Sequence, residues 1–475
     1  MKPIILGYAG LALHYTTLLA INNQSHTHSY YLTLYNQINL VGKNRFRFVV
    51  KLYKIFYIVK MYNLWKGIKK QGKHRLLRLC LTRKISDVPT IKSICSLPSE
   101  VLEHVFKFLP KKDMLSVVLV CRWWREVGER PQFWSSCKIV VSRRGELDML
   151  RSRRFQFLQN IIVGGYWWET KELEELFRCL LMLPKLKTLY TLLHVNVGSV
   201  SPGLIAKIIQ NMELVQLPWL VQAQVEAVLR NSSNKLKSLF IPDSRVEHVD
   251  AELLTSAIYK LEEVNMHGCH LTRHQVEDMF DKISRNANVK RFCLSYNDLS
   301  TIDPGTLATV ARDLEGLHIE ETQLTFPQVE TIFNELLIST NLTDLNISSN
   351  FLSTILPMTL ATAITKVQVV NVANCALTEE QVQAVFETMN EEMCLKELNI
   401  AWNNLLTLDA NILATGVNKL RSLDISRTNV TVTQVDQIFR EAAKGTHLRT
   451  LSHDQELVGQ INPQILAEAL PRMRD

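Results

Sequence analysis

The chain has 475 residues, 47% apolar and 21% charged, a balance that suits a large buried core and excludes bulk disorder. Its net charge of +8 is uneven: residues 1–93 hold 16 bases and one acid, Asp87, while the remainder holds 38 bases and 45 acids. The larger part lacks the positive field that phosphate contacts need, so no nucleic-acid partner is expected. Nine cysteines scattered from Cys80 to Cys394, with no CxxC pair, point to a reducing compartment, cytoplasmic or nuclear.

Residues 1–93 read as a basic leader with no clear period and poor order. An apolar run at 4–21, broken by His14, has the length of a signal peptide or short anchor. The basic, aromatic stretch at 45–70 has the composition of a membrane-surface segment. Neither is favoured over a poorly ordered leader, and no membrane partner is expected.

Residues 97–134 have the pattern of a small three-helix module. Pro98 suits a first helical turn, and Val101, Leu102, Val105, Phe106 and Leu109 form an apolar stripe that ends at Pro110. Asp113 is placed to cap a second helix carrying Leu115, Val118 and Leu119, and a third runs from about Cys121 to Arg130. Trp123, Trp124 and Trp134 exceed what so small a core needs, which points to a surface docked on a partner or on the following domain.

These residues resemble an F-box. Leu97-Pro98, Glu100, Val105-Phe106, Leu109-Pro110, Asp113-Met114-Leu115, Val120-Cys121 and Trp124-Arg125 fall at that family's spacing, with Trp134 as its closing aromatic. Lys111-Lys112 and Gly128 occupy positions expected to tolerate change. The resemblance implies docking on a Skp-family adaptor, with Leu97, Pro98, Val105, Leu109, Leu115, Val120, Cys121 and Trp124 as contact residues. The F-box is bounded at 94–140, followed by a basic linker at 141–154.

From Leu261 onward the chain repeats Leu-x-x-Leu-x-Leu. The first positions are Leu261, Val289, Leu314, Leu342, Val367, Leu395, Leu420 and Leu448, at alternating intervals of 28 and 25 residues, so the unit is a pair of 53. Thr272, Thr325, Thr378 and Thr431 each open Thr-x-x-Gln-Val on that period. Asn297, Asn350 and Asn403 hold one turn position; Cys269, Thr322, Cys375 and Thr428 hold its counterpart. Each copy predicts a short strand with alternate residues facing the core, a turn, and a helix capped by the threonine. Weaker copies upstream bring the total to about twelve, filling 155–475, each needing its neighbours to bury both faces. The pattern resembles the leucine-rich-repeat family, and its two-type alternation is similar to the ribonuclease-inhibitor subclass. The fold class expected is therefore α/β, a leucine-rich-repeat solenoid (horseshoe) preceded by a three-helix F-box.

Strand residues expected on the concave face include Glu263, Asn265, His267, Arg291, Ser295, His318, Glu320, Asp344, Asn346, Glu397, Asn399, Ser422 and Asp424. Their acidic excess favours a basic or polar target strip. Tyr296 and Trp402, one position in units 106 residues apart, are anchors that packing does not require. Glu320, Asp344 and Glu397 join them as target-binding residues. Tyr166-Trp167-Trp168 is expected to cap the open core of the first repeat. His267, Cys269, His270 and His274 straddle strand, turn and helix, so no metal site is expected. No phosphate loop or nucleophile motif appears, and neither catalysis nor a cofactor is expected.

An F-box followed by leucine-rich repeats implies a substrate receptor of a cullin–RING ubiquitin ligase. The adaptor leads to the cullin and RING protein, and the repeats hold an unknown target. The alternatives are a scaffold or inhibitor without ubiquitin transfer, and a membrane-tethered or secreted repeat receptor using the leader.

Overall fold

The computed structural model describes residues 99–473, except 108, 110–113, 115–116, 119, 136, 143–145, 166–167, 286–287, 339–340, 391 and 446. The leader, with its apolar run and basic stretch, lies outside the described residues. So do Leu97, Pro98, Leu115, Lys111-Lys112, Asp113, Tyr166 and Trp167. The chain divides into two compact units between Trp134 and Ser135.

In the first unit, helices span Ser99–Phe106, Arg122–Gly128 and Pro131–Trp134. Cys121 caps the second of these, its Sγ accepting the Trp124 N–H at 3.4 Å. Leu102, Val105, Phe106, Leu109, Val117, Val118 and Val127 are buried. The Phe106 ring meets Trp124 edge-on at 5.3 Å and Phe133 at 6.0 Å. Trp124 and Trp134 are buried, so two of the three tryptophans are not the surface surplus their number suggested. Trp134 Nε1 donates to the Gly128 carbonyl at 2.6 Å. A Cβ there would come within 3.1 Å of Val117 and 3.2 Å of Val118.

The second unit is one parallel sheet of thirteen strands in chain order, each pair joined through loops and, in most repeats, a helix. Its strands are β1 (Lys138–Val141), β2 (Asn160–Val163), β3 (Thr188–Thr191), β4 (Leu214–Gln216), β5 (Ser238–Phe240) and β6 (Glu263–Asn265). There follow β7 (Arg291–Cys293), β8 (Gly316–His318), β9 (Asp344–Asn346), β10 (Val369–Asn371), β11 (Glu397–Asn399), β12 (Ser422–Asp424) and β13 (Thr450–Ser452). From β6 onward each strand begins two residues after the leucine-like position that opens its repeat. β1 adds a strand ahead of the expected twelve. Its Lys-Ile-Val-Val lacks the leucine pattern, but Val141 is buried and Lys138 pairs with Asn160. The sheet edge at β2 is thus covered by a strand. Trp168 is only partly buried and donates to the Gly164 carbonyl at 2.6 Å.

In β4, β6, β9, β10, β11 and β12 the central residue is buried and its neighbours half-exposed, as period-2 alternation requires. Two polar devices join the repeats. Asn350 Nδ2 donates to the Ile319 and Ile347 carbonyls at 2.8 and 3.1 Å, while its Oδ1 accepts the Thr322 and Leu324 N–H groups. Asn403 and Asn297 do the same one unit on either side. The glutamine of Thr-x-x-Gln-Val is the second. Gln381 Oε1 accepts the Thr378 N–H at 2.9 Å, and its Nε2 reaches the Leu352 and Ile355 carbonyls of the previous repeat at 2.8 and 2.7 Å. Gln224, Gln275, Gln328 and Gln434 repeat this clamp, all buried. Each satisfies backbone groups that a loop leaving a strand would otherwise bury unpaired.

Candidate protein-interaction surfaces

In the first unit, Val105, Leu109 and Trp124 are buried, Cys121 is partly exposed, and Val120 is exposed. Trp124 Nε1 is buried with no acceptor among the described residues, in a position where an unmade hydrogen bond costs about 1–3 kcal/mol.

On the repeats, one backbone feature organises the rim. Five residues after the start of each strand from β4 to β12, the chain turns through left-handed φ: Trp219, Asp243, Gly268, Tyr296, Glu321, Ser349, Asn374, Trp402 and Arg427, all between 50° and 62°. Their N–H groups bond from repeat to repeat, for example Tyr296 to the Glu320 carbonyl at 2.8 Å and Trp402 to Ser426 at 3.0 Å. Such backbone suits Gly, Asn and Asp; a bulky aromatic there is strained. Tyr296 is 44% exposed and Trp402 62%, with the Arg427 guanidinium 5.4 Å from the Trp402 ring. Trp219, missed from the sequence, is a third aromatic at this position. Its Nε1 donates to the Leu193 carbonyl, and it lines a 710 Å³ cavity with Leu193, His194, Val221, Asp243 and Arg245.

A further apolar group lies beside Trp402 in the order of repeats. Phe351 is 70% exposed and Leu356 72%, and Met358 is exposed as well. Fifty-three residues to either side of Phe351 stand Asp298 and Asn404, which accept backbone N–H bonds in turns. To either side of Leu356 stand Asp303 and Asp409, which cap their helices; Leu356 makes no side-chain cap. The break in register was readable in the sequence, but not the exposure.

The open face of the sheet gathers Tyr296, Glu320 and Asp344 into one cluster. The Tyr296 hydroxyl donates to Glu320 Oε1 at 3.5 Å, and Asn346 Nδ2 donates to Glu320 Oε2 at 3.1 Å. The His267 ring lies 4.5 Å from that of Tyr296, and His318 Nε2 is 3.2 Å from Asp344. Between the two histidines stands Cys293, paired across the sheet with Asn265 and His318, its Sγ 3.6 Å from Ser295 Oγ. Ser295, expected on the open face, is buried because the chain has begun its turn; its Oγ accepts the Glu320 N–H. Burial alone pushes the Cys293 thiol up, but hydrogen bonds with His267, His318 and Ser295 outweigh it and bring it down to about 6. Asp344, then Cys293, hold the His318 imidazole up at about 9, and Cys293 raises His267. Trp402 and Glu397 are not in this cluster; Glu397 stands on β11, two strands beyond Asp344.

The buried Cys269 thiol donates to the Ile241 carbonyl at 3.1 Å. Among the described residues no group of three or more His, Cys, Asp or Glu is placed to hold a metal ion. No described helix is long and apolar enough to cross a membrane.

The F-box-like family matches residues 94–139, and the leucine-rich-repeat family matches 341–363. Mouse (Mus musculus) ribonuclease inhibitor is 24% identical over 258 residues, covering 50% of this chain. The match spans only 56% of that relative's length. A chain in the crystal structure of the yeast Rad7–Elc1 complex matches 76% of this chain and 90% of its own length, at 12% identity and a TM-score of 0.42. With an F-box-like module in front of repeats that form one continuous parallel sheet, the chain is an F-box/leucine-rich-repeat protein.

Proposed function

We propose that this protein is the non-catalytic, substrate-holding subunit of an SCF-type ubiquitin ligase in the cytoplasm or nucleus. The observation that carries the reading is the F-box-like match at 94–139 immediately ahead of the repeat sheet. The F-box docks on a Skp-family adaptor, and through it on a cullin and RING protein. Of the adaptor contacts expected from the resemblance, Val120 and Cys121 are the described ones at the surface; Val105, Leu109 and Trp124 shape the module from inside. The repeats hold a target through the rim and open face, with Tyr296, Trp402, Glu320, Asp344 and Glu397 as contacts. Ubiquitin transfer accelerates by proximity, since tethering makes the encounter effectively intramolecular.

The test is co-purification of the full chain with adaptor and cullin. Capture by the intact chain, lost in a Pro98→Ala/Trp124→Ala variant, is the expected result. Loss in Val120→Asp, an exposed position that leaves the core intact, separates docking from misfolding. No capture by the intact chain overturns the reading. The similarity to a ribonuclease inhibitor favours the second reading, target binding without ubiquitin transfer, which that outcome would leave standing.

A further inference from the structure

The third residue of the strands follows a rule that two adjacent strands break. In five of the seven strands from β6 to β12 it is Asn or Asp: Asn265, Asn346, Asn371, Asn399 and Asp424. Each side-chain oxygen accepts the backbone N–H two residues on, at 2.9–3.1 Å, and so closes the turn that leaves the strand. β7 and β8 carry Cys293 and His318 there instead, side by side in register. Their turns are closed by other means. The Ser295 N–H bonds Cys293 itself, and the Glu320 N–H bonds Ser295 Oγ at 3.1 Å. Asparagine serves the fold at this position in the sister strands, so folding does not account for the pair.

The two residues are the centre of a relay across three strands. Asp344, on β9, holds His318 Nε2 at 3.2 Å, and the same imidazole hydrogen-bonds Cys293. His267, on the turn after β6, bonds the sulfur as well. Ser295 Oγ lies 3.6 Å from Cys293 Sγ, and because it accepts the Glu320 N–H its own proton is left to point at sulfur. The sulfur thus meets the Ser295 N–H, the Ser295 hydroxyl and two imidazoles, all able to donate to a thiolate. Burial and the nearby carboxylates oppose that charge. The carboxylates are engaged elsewhere, Glu320 by Tyr296 and Asn346, and Asp344 by His318. Cys293 remains partly exposed, which admits a small electrophile and turns away a large one. A thiolate beside an imidazolium supplies both the electron pair for attack and the proton for a leaving group.

We propose that Cys293 is a site of reversible oxidation by hydroperoxides, assisted by His318 and Asp344. The thiolate attacks the terminal, hydroxyl oxygen of the peroxide. The S–O bond forms as the O–O bond breaks, and the departing oxygen takes a proton from the His318 imidazolium to leave as water or an alcohol. Sulfur is oxidised by two electrons to a sulfenic acid, and the peroxide is reduced by two. Cys269, in the neighbouring repeat, is buried with its thiol on the Ile241 carbonyl, so the sulfenic acid is left to an external thiol. That thiol condenses with it and expels water; a second one releases Cys293 as the two external thiols leave joined in a disulfide. The site rests on the repeat sheet alone, so it stands or falls separately from adaptor docking.

The test exposes the reduced full chain to hydrogen peroxide, traps sulfenic acid with dimedone and reads each cysteine by peptide mass spectrometry. At pH 6 Cys293 should label at least about tenfold faster than the exposed Cys394, and than Cys293 itself in the urea-unfolded chain. Dithiothreitol added after peroxide and before dimedone should abolish the label. The labelling rate should rise with pH through a midpoint near 6, and that midpoint should move upward in His318→Gln, a shift that a merely structural histidine would not produce. Asp344→Asn, which acts through His318, should slow labelling several-fold at pH 6. Cys293→Asn, the residue of the sister strands, should remove the label and leave the melting temperature at or above that of the parent. Equal rates at Cys293 and Cys394, or an unchanged midpoint in His318→Gln, overturns the proposal. A lowered melting temperature in Cys293→Asn overturns its premise that the fold does not need the cysteine.

Discussion

Adjacent residues on the turn after each strand behave in opposite ways. Asn297, Asn350 and Asn403 are buried and identical in three successive units, because at least four backbone groups from two repeats converge on each amide. One residue earlier stand Tyr296, Ser349 and Trp402, exposed or half-exposed, with nothing in common but a left-handed φ. The inner position is dictated by unpaired backbone; the outer by nothing the fold requires. Departures from the repeat inside therefore mark stability, whereas departures on the rim mark places where something other than folding chose the residue.

That contrast is most easily broken from the inside. Gln381→Ala strips the Thr378 N–H and the Ile355 carbonyl of their partner in a buried site. At roughly 1–3 kcal/mol per group, the loss should be about 3 kcal/mol in urea unfolding. A loss below about 1 kcal/mol would mean that water or relaxed backbone replaces the clamp, and that inner positions are less constrained than their uniformity implies.

Cysteine offers the same contrast in one residue type. Cys375, in the buried turn, has its thiol pushed up to about 12 by burial, and Cys269 is raised likewise. Cys293, on the open face between two histidines, titrates at about 6. Alkylation by iodoacetamide, followed peptide by peptide, should show Cys293 reacting with a midpoint near pH 6 while Cys269 and Cys375 stay protected in the native protein. His318→Gln should move that midpoint upward. The linked stability has opposite signs for the two partners. Cys293 lies below its ordinary 9.0, so its contribution is present above that and lost as pH falls through about 6. His318 lies above 6.5, so its contribution is present below that and lost as pH rises through about 9. A Cys293 midpoint near 9 would remove the thiolate and with it the open-face cluster as a distinct chemical environment.

What the sequence revealed follows the same division. The period of 53 located eight strands because core leucines and turn asparagines answer to local geometry. β1 escaped because Lys138–Val141 joins the sheet by edge pairing with β2, without a leucine framework. The glutamine of Thr-x-x-Gln-Val was visible, but its acceptors lie 26 and 29 residues back, on the previous repeat. Cys293 reads as one more strand residue until β6, β7 and β8 bring His267 and His318 beside it. In the F-box, spacing gave the motif, but which residues turn inward depends on how Phe106, Trp124 and Phe133 meet.

The rim is tested most finely at Leu356. Asp303 and Asp409 cap the equivalent helices, accepting the Thr306 N–H at 2.9 Å and the Asn411 and Ile412 N–H groups at 2.8 and 3.1 Å. Leu356 leaves those donors without a side-chain acceptor while exposing its own apolar surface. Leu356→Asp should therefore stabilise the protein, by about 1 kcal/mol, the usual worth of such a cap. A natural sequence that forgoes this gain at one copy, keeps it at both neighbouring copies, and places Phe351 and Met358 beside the gap is holding an apolar surface against the preference of its own helix. If Leu356→Asp instead destabilises, the side chain packs where its exposure says it does not. The rim would then be part of the fold rather than a face reserved for a partner.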